Sequence, residues 1–121
     1  MLYAILAYHP AGVIEALTPD EGSVLMDRLM KVHEAINETA SLGPAVRLDF
    51  TKSAATLREG VVIDGPFAET KEHLLGFYAL ECASLDEAVD AARKLQRVNT
   101  TAIYEIRPVR LYVPGNPVEA G

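Results

Sequence analysis

The residues of this sequence best suited to chemistry are a histidine in its first half and an aspartate in its middle. His33 carries an imidazole, which exchanges protons near neutral pH. Asp64 opens the stretch DGPFAETKEHLLGFYALE, directly before a Gly-Pro turn. Because a carboxylate can orient an imidazole for proton transfer, His33 and Asp64 are the candidate catalytic residues.

The segment around Asp64 has the composition of a rigid corner. Gly65 supplies backbone freedom, and Pro66 fixes its own φ angle and favours an extended residue before it. Several titratable residues follow within a few positions, namely Glu69, Lys71, Glu72 and His73. This density favours a functional site. The alternative is that Asp64 accepts N–H bonds from its own turn and that the loop charges are merely solvated.

Three aromatic side chains could form the apolar walls of a cleft beside these groups. Tyr8 ends the first apolar run, Phe67 follows the turn, and Tyr78 lies in the next apolar segment. Together with Glu69 and Lys71, they are the candidate substrate-binding residues. His33 is displaced by about 70° from the apolar stripe of its predicted helix, which places it at the rim of that stripe. A half-exposed histidine with no function is the alternative there.

Other kinds of site have less support. The three histidines are not at ligand spacing within one element, so no metal is expected. The alternative is a divalent ion held by His9 or His33 together with Asp64 or Glu69. The sequence has no Gly-rich phosphate loop and no GxSxG elbow, so no cofactor is expected. The single cysteine, Cys82, falls in a strand-like run and is expected to be a buried packing residue rather than a nucleophile.

The chain length, the net charge and the cysteine count limit the class of protein. A chain of 121 residues predicts one domain, over residues 1–113, followed by a flexible Pro- and Gly-rich tail at 114–121. A net charge of -6 argues against nucleic acid and anionic membrane surfaces as partners. The lone cysteine and a first apolar run too short for a signal or a membrane span predict a cytoplasmic protein.

The hydrophobic pattern predicts the elements that must position these residues. A strand is expected at residues 2–8, and a helix starts at the capping signal TPDE, residues 18–21, and runs to about Ala40. Gly43-Pro44 then precedes a strand at 45–50. A short hairpin of 55–58 and 61–64, joined at Glu59-Gly60, leads to Asp64.

The second half repeats the strand and helix pattern. A strand is expected at residues 76–83, a helix begins at the capping signal SLDE, residues 84–87, and a last strand spans 102–107, placed at an edge by Pro108. Two β-α-β units with both helices on one face predict an α+β ferredoxin-like β-α-β-β-α-β sandwich with an extra short hairpin. The apolar first strand predicts a homodimer with its sheets face to face.

The nine residues DGPFAETKE, at 64–72, resemble the DGPF group of the YCII-related domain family. The likeness continues in Gly76-Phe77-Tyr78, in residues 85–88 and 105–109, and in His33. The resemblance implies a dimeric α+β barrel. This sequence departs from the family's pattern at Leu75-Gly76, where the family usually has two glycines, and in the turn at 58–61, which is shorter than usual.

The same resemblance sets the functional expectations. Most of the family looks like proteins of unassigned role, and a His-Asp pair has been proposed as an active site in relatives. One relative is a dehydrochlorinase acting on a chlorinated hydroxyquinol, and genes of the group often neighbour extracytoplasmic sigma factors. We therefore expect a small, cyclic or aromatic ligand in a His/Asp-lined cleft, with proton transfer leading to elimination or hydrolysis. The alternative is a non-catalytic metabolite-binding or sigma-factor-associated regulatory module.

Overall fold

The computed structural model describes residues 1–118, so the last three positions of the predicted tail lie outside the described residues. The elements run in the order β1 (Leu2–Pro10), α1 (Pro19–Ile36), β2 (Ser41–Arg47), β3 (Ala55–Arg58), β4 (Val61–Asp64), β5 (Glu72–Glu81), α2 (Leu85–Val98) and β6 (Ile103–Pro108). A single 3₁₀ turn occupies Thr51–Ser53. Within residues 1–118, neither helix has the length and apolar character needed to cross a membrane.

Four strands form one antiparallel sheet in the order β2-β5-β1-β6, and β3 pairs with β4 in a separate hairpin. Burial alternates along β1, so one face of the sheet packs against both helices, and within residues 1–118 no helix covers the other face. This is the α+β ferredoxin-like arrangement with an extra hairpin that the sequence predicts. The fold prediction is therefore confirmed.

The first helix begins at its predicted cap but ends earlier than predicted. In α1, the Thr18 hydroxyl accepts from the Glu21 N–H, and the Glu21 carboxylate accepts from the Thr18 N–H, which completes the predicted capping box. The helix ends at Ile36 rather than at Ala40. Asn37 explains the early end, because its side chain accepts from the Leu42 N–H at 2.7 Å and turns the chain toward β2.

The prediction of a strand at residues 45–50 is wrong in its bounds, because β2 spans Ser41–Arg47. The strand includes Gly43-Pro44, which are joined by a cis peptide bond. Its register with β5 shifts between Leu42 and Ala45. Such an irregularity accommodates a proline, which has no N–H to donate to the ladder.

The hairpin of β3 and β4 has the predicted bounds. Glu59 and Gly60 both have positive φ, at 51° and 81°, as a two-residue hairpin turn requires. The following strand begins at Glu72 instead of Gly76, because β5 keeps pairing with β1 as far as Pro10. His73 is therefore a strand residue rather than part of a loop.

The last helix and strand complete the sheet. Ser84 caps α2 by accepting from the Glu87 N–H, but the Glu87 carboxylate accepts from the Ala83 N–H, one residue before the cap. The last strand lies at an edge, as Pro108 predicts, although it spans Ile103–Pro108 rather than 102–107. Cys82 is buried, as predicted, and burial raises the pKa of its thiol.

Candidate functional site

A cavity of about 340 Å³ lies between α1 and the sheet. Its floor is a patch of small residues on the helix-facing side, in which Ala7 pairs with Gly76 and Ala45 pairs with Tyr78. Side chains normally fill the space between a helix and a sheet, so two alanines and a glycine on the sheet leave empty volume beneath the helix. A Cβ on Gly76 would lie 2.6 Å from the Val46 carbonyl oxygen, so the strands require glycine at this point.

The first helix covers the cavity. Leu25, Leu29 and His33 recur every four residues and line the cavity, because positions i and i+4 share one helix face. Met26 and Met30 line it from the neighbouring row. The roof is therefore apolar and deformable apart from one imidazole, since methionine side chains are flexible and unbranched.

His33 is hydrogen-bonded to a strand residue across the cavity wall. Its Nε2 lies 3.1 Å from the Tyr78 hydroxyl oxygen, and the two rings meet edge to face. Burial lowers the pKa of His33, so the imidazole is predominantly neutral at pH 7. Burial, with a smaller effect from the charge of Tyr104, raises the pKa of Tyr78 to about 12. The pair is therefore uncharged in the resting protein.

A second histidine reaches the cavity from β1 and belongs to a cluster that we call the His9 cluster: His9, Asn99, Thr101 and Tyr104. Nδ1 of His9 lies 2.9 Å from the Thr101 hydroxyl, and the Asn99 amide Nδ2 lies 3.4 Å from Nε2. The same amide donates to the Tyr104 hydroxyl at 3.2 Å. Burial lowers the pKa of His9, which keeps this buried network neutral.

The charge balance of the cavity is one-sided. Among the described residues that line it, Arg47 is the one permanently charged side chain, and none is an aspartate or a glutamate. Arg47 stands at the end of β2, opposite Gly76 in the register. Within residues 1–118, it has neither an ion pair nor a side-chain hydrogen bond. The cavity thus combines apolar walls, two neutral histidines and a free guanidinium.

Two of the residues predicted for the site, His33 and Tyr78, line this cavity. Tyr8 points to the opposite face of the sheet, where its hydroxyl lies 3.4 Å from Glu105. The other four predicted residues lie at the end of β4 or in the following loop, are exposed and do not line the cavity: Asp64, Phe67, Glu69 and Lys71. One chain therefore brings together only part of the predicted set.

Asp64 ends a hairpin whose two ends are joined by hydrogen bonds beyond the last strand pair. The Gly65 N–H donates to the Ala54 carbonyl at 2.7 Å, and the Thr56 hydroxyl donates to the Gly65 carbonyl at 2.9 Å. Gly65 has a φ of 93°, which only glycine adopts without strain. Within residues 1–118, the side-chain partner of His33 is Tyr78 and not Asp64. The His33–Asp64 pair stays a prediction.

The sequence pattern does not indicate Arg47 or Asn99 as site residues, and it indicates His9 only as an alternative metal ligand. Asn99 is the residue that ends α2, and Arg47 ends an edge strand, so neither position carries a recognisable signal. Nowhere in the described part of the chain do three or more His, Cys, Asp or Glu side chains cluster so that they could hold a metal ion.

A four-stranded ferredoxin-like sheet with a histidine-lined cavity under its first helix defines a small α+β domain. The chain belongs to the YCII-related domain family, whose sequence model matches residues 1–112. An uncharacterized protein of Rhizobium meliloti (strain 1021) is 51% identical over 120 residues, covering 95% of this chain and 97% of that protein. The resemblance based on DGPFAETKE is thereby confirmed, and the relative carries no assigned role.

Proposed function

We propose that this protein binds a small organic molecule in the cavity between α1 and the sheet. The cavity volume of about 340 Å³ supports this proposal, because small-molecule sites typically occupy about 300–1,000 Å³ and combine apolar walls with a few polar groups. Here the polar groups are His33, Tyr78, His9, Asn99 and Arg47. One or two fused rings would fit such a space, in keeping with the cyclic or aromatic ligand expected from the sequence.

A blocking variant tests this proposal. Ala45 is an exposed residue of the edge strand β2 and lines the cavity, so Ala45→Leu would extend a side chain into the space without disturbing the buried core. A library of small ring compounds is screened by thermal shift, since a ligand that binds only the folded state raises the melting temperature. Stabilisation by one or more compounds, lost in Ala45→Leu, is the expected result.

Ala35→Leu is the matched control for that variant. Ala35 is exposed on α1 and does not line the cavity, so the same added volume leaves binding unchanged. Equal stabilisation of the parent chain and of Ala45→Leu would show that binding occurs elsewhere and would contradict the proposal. The bound compound is recovered and analysed, because an unchanged compound indicates binding without turnover.

Proton transfer at His33 is the second candidate function, and the His33–Tyr78 hydrogen bond favours it. A tyrosine hydroxyl can donate to a neutral imidazole nitrogen and can also accept from a protonated one. Tyr78 therefore supports His33 in both protonation states, as an acid and base catalyst requires. The reaction would be an elimination or a hydrolysis without a nucleotide cofactor.

The variant His33→Ala tests catalysis. Turnover is expected to be lost while circular dichroism shows that the fold is retained. Asp64→Asn tests the predicted partner: a comparable loss would support the pair, while full activity would assign Asp64 a structural role in its turn. Glu105→Gln is the matched control, because it also removes a carboxylate at an exposed position and Glu105 does not line the cavity. Turnover that persists in His33→Ala would remove this candidate.

We also propose that the protein is a homodimer in the cytoplasm. The face of the sheet away from the helices carries half-buried apolar side chains such as Leu6 and Phe77, which pair across β1 and β5. The β3–β4 hairpin exposes further apolar residues: Leu57, Val61, Val62 and Ile63. Large apolar surfaces of this kind favour a second copy as a cover.

A further inference from the structure

We infer that the ligand of this cavity is an organic anion whose apolar body lies under α1 and whose acidic group pairs with Arg47 at the mouth. The inference rests on the proposed binding function and adds the chemical class of the ligand. It depends on the position of Arg47, on its lack of a partner, and on the absence of carboxylates from the described residues that line the cavity.

The sheet register places Arg47 on the same side as the cavity. Arg47 pairs with Gly76, and Gly76 pairs with Ala7, a buried residue that faces the helices. Directly paired residues share a face of a sheet. Since Gly76 has no side chain and Ala7 has only a methyl group, the side chain of Arg47 borders open space rather than a packed core.

Arg47 is free to bind a ligand. It is exposed, and within residues 1–118 no carboxylate lies within ion-pair distance of it. Arg93, by contrast, pairs with Asp90 at 2.9 Å. A guanidinium offers a planar set of donors that matches a carboxylate with two parallel hydrogen bonds. A free arginine at the mouth of an apolar cavity therefore selects an anion.

The remaining groups of the cavity fit an anion better than a cation. Burial lowers the pKa values of His9 and His33, so both are predominantly neutral at pH 7, and both nitrogens of His9 are already engaged by Thr101 and Asn99. No aspartate or glutamate is among the described residues that line the cavity, so a cationic ligand would find no counter-charge inside it; Glu15 and Asp27 line the adjoining surface groove. The cavity is thus selective for anions although the chain has a net charge of -6.

The surroundings of Arg47 indicate how the ligand is oriented. Arg47, Ile14, Met26 and Phe50 border both the cavity and an open surface groove of about 430 Å³. Arg47 consequently marks the boundary between the apolar interior and solvent. An acidic group that binds there stays partly hydrated, which lowers its desolvation cost, while the apolar body is buried.

A pair of probes of equal shape tests the inference. The anion 2-naphthoate and the neutral 2-naphthamide differ in charge but hardly in size, and the chain has no tryptophan to interfere with naphthalene fluorescence. Titration of the full chain is expected to show 2-naphthoate binding about tenfold tighter than the amide, because a charge-assisted bond adds that much. Arg47→Gln is expected to abolish the difference, because it weakens binding of 2-naphthoate more than binding of the amide.

Arg97→Gln is the matched control. Arg97 is exposed near the end of α2 and does not line the cavity, so the variant removes the same charge without changing the preference. Arg47→Lys is expected to retain part of the preference for the anion, since a lysine keeps the charge but loses the planar fork. Binding that persists in this variant would also show that a change at position 47 leaves the fold intact.

The outcomes separate the two proposals. If both probes bind equally and Arg47→Gln changes neither affinity, the ligand class is wrong, whereas the cavity is still a binding site provided that Ala45→Leu blocks both. If neither probe binds the parent chain while other ring compounds stabilise it in the thermal-shift screen, the ligand class is overturned and the binding function stands. If no compound of the screen binds either, the binding function is overturned as well. A preference for the anion that survives in Arg47→Gln would also overturn the assignment of Arg47.

Discussion

The imidazole of His33 and the phenol ring of Tyr78 meet edge to face, with centroids 5.1 Å apart, planes at 80°, and Nε2 3.1 Å from the hydroxyl oxygen. This contact joins the last turn of α1 to β5 at the edge of the cavity. Edge-to-face packing places the positive edge of one ring against the negative face of the other. This packing is favourable in itself and adds to the hydrogen bond. The pair fixes the orientation of the one ionisable group in the roof.

Removal of the Tyr78 hydroxyl is expected to destabilise the protein. Tyr78→Phe keeps the ring but leaves the half-buried Nε2 of His33 without its partner, which costs about 1–3 kcal/mol in the free energy of unfolding. Tyr8→Phe is the control, because its hydroxyl makes a long, exposed contact with Glu105; its cost is expected to be below about 0.5 kcal/mol. Urea denaturation at pH 7.5 measures both. Equal costs would indicate that the His33–Tyr78 bond contributes nothing specific.

Mild acid is expected to destabilise the protein through the buried His9 and the half-buried His33. Burial lowers the pKa values of His9 and His33 below the ordinary 6.5 of the unfolded chain. The unfolded chain therefore binds more protons as the pH falls through about 6.5, and stability decreases until the lowered folded-state pKa values are reached. Denaturation measured between pH 7.5 and pH 5.5 shows this slope, above the range in which most carboxylates titrate.

Variants identify the source of that slope. His9→Gln and His33→Gln remove one titrating group each, so each is expected to flatten the dependence of the unfolding free energy on pH, and the double variant more so. Glutamine retains hydrogen-bonding groups in place of the ring nitrogens. A slope that is unchanged in the double variant would assign the acid sensitivity to other groups.

A methyl group on Gly76 is expected to disturb the sheet beneath the cavity. In Gly76→Ala, the new Cβ would lie 2.6 Å from the Val46 carbonyl oxygen, a backbone atom that cannot move without shifting β2. The expected cost is about 1–3 kcal/mol. Gly22→Ala is the control, since nothing lies within 4 Å of its added Cβ in α1; alanine there stabilises by about 0.5–1 kcal/mol. Thermal denaturation that ranked the two variants in the opposite order would contradict this account.

A charge on the outer face of the sheet is expected to weaken the proposed dimer. Ile103 is 49% exposed on the edge strand β6 and shares the outer face with Tyr8, so Ile103→Lys places an ammonium group there without unfolding the core. Val24→Lys on α1 is the control, since Val24 is 51% exposed on the helical side. Analytical ultracentrifugation is expected to show more monomer for Ile103→Lys alone. A parent chain that is monomeric at all concentrations would refute the dimer.

Elements with a strong local signal were predicted well from the sequence. The Thr18 capping box, the Glu59-Gly60 hairpin and the burial of Cys82 all follow from short-range chemistry or composition. The predicted bounds were wrong where pairing between distant strands determines where a strand begins. β2 begins four residues before its predicted start, because Ser41 and Leu42 also pair with β5, across an irregularity that holds Gly43 and Pro44.

The candidate site was predicted only in part, for a related reason. His33 was placed at the rim of α1 by its position on the helix, and Tyr78 was identified as an aromatic wall. The β3–β4 hairpin, however, pairs only with itself in the described chain, so no local pattern specifies where its Asp64 end lies. The DGPF motif identified the family more clearly than it located the cavity.

The sequence by itself determined the order of strands and helices, the fold class and the family, because periodicity and capping are local properties and the DGPFAETKE motif is contiguous. The tertiary structure decided which side chains share a cavity. His9, Arg47, Tyr78 and Asn99 come from distant parts of the chain and meet only through sheet register and helix packing. The empty volume beneath α1 exists because Ala7 and Gly76 become neighbours in the sheet.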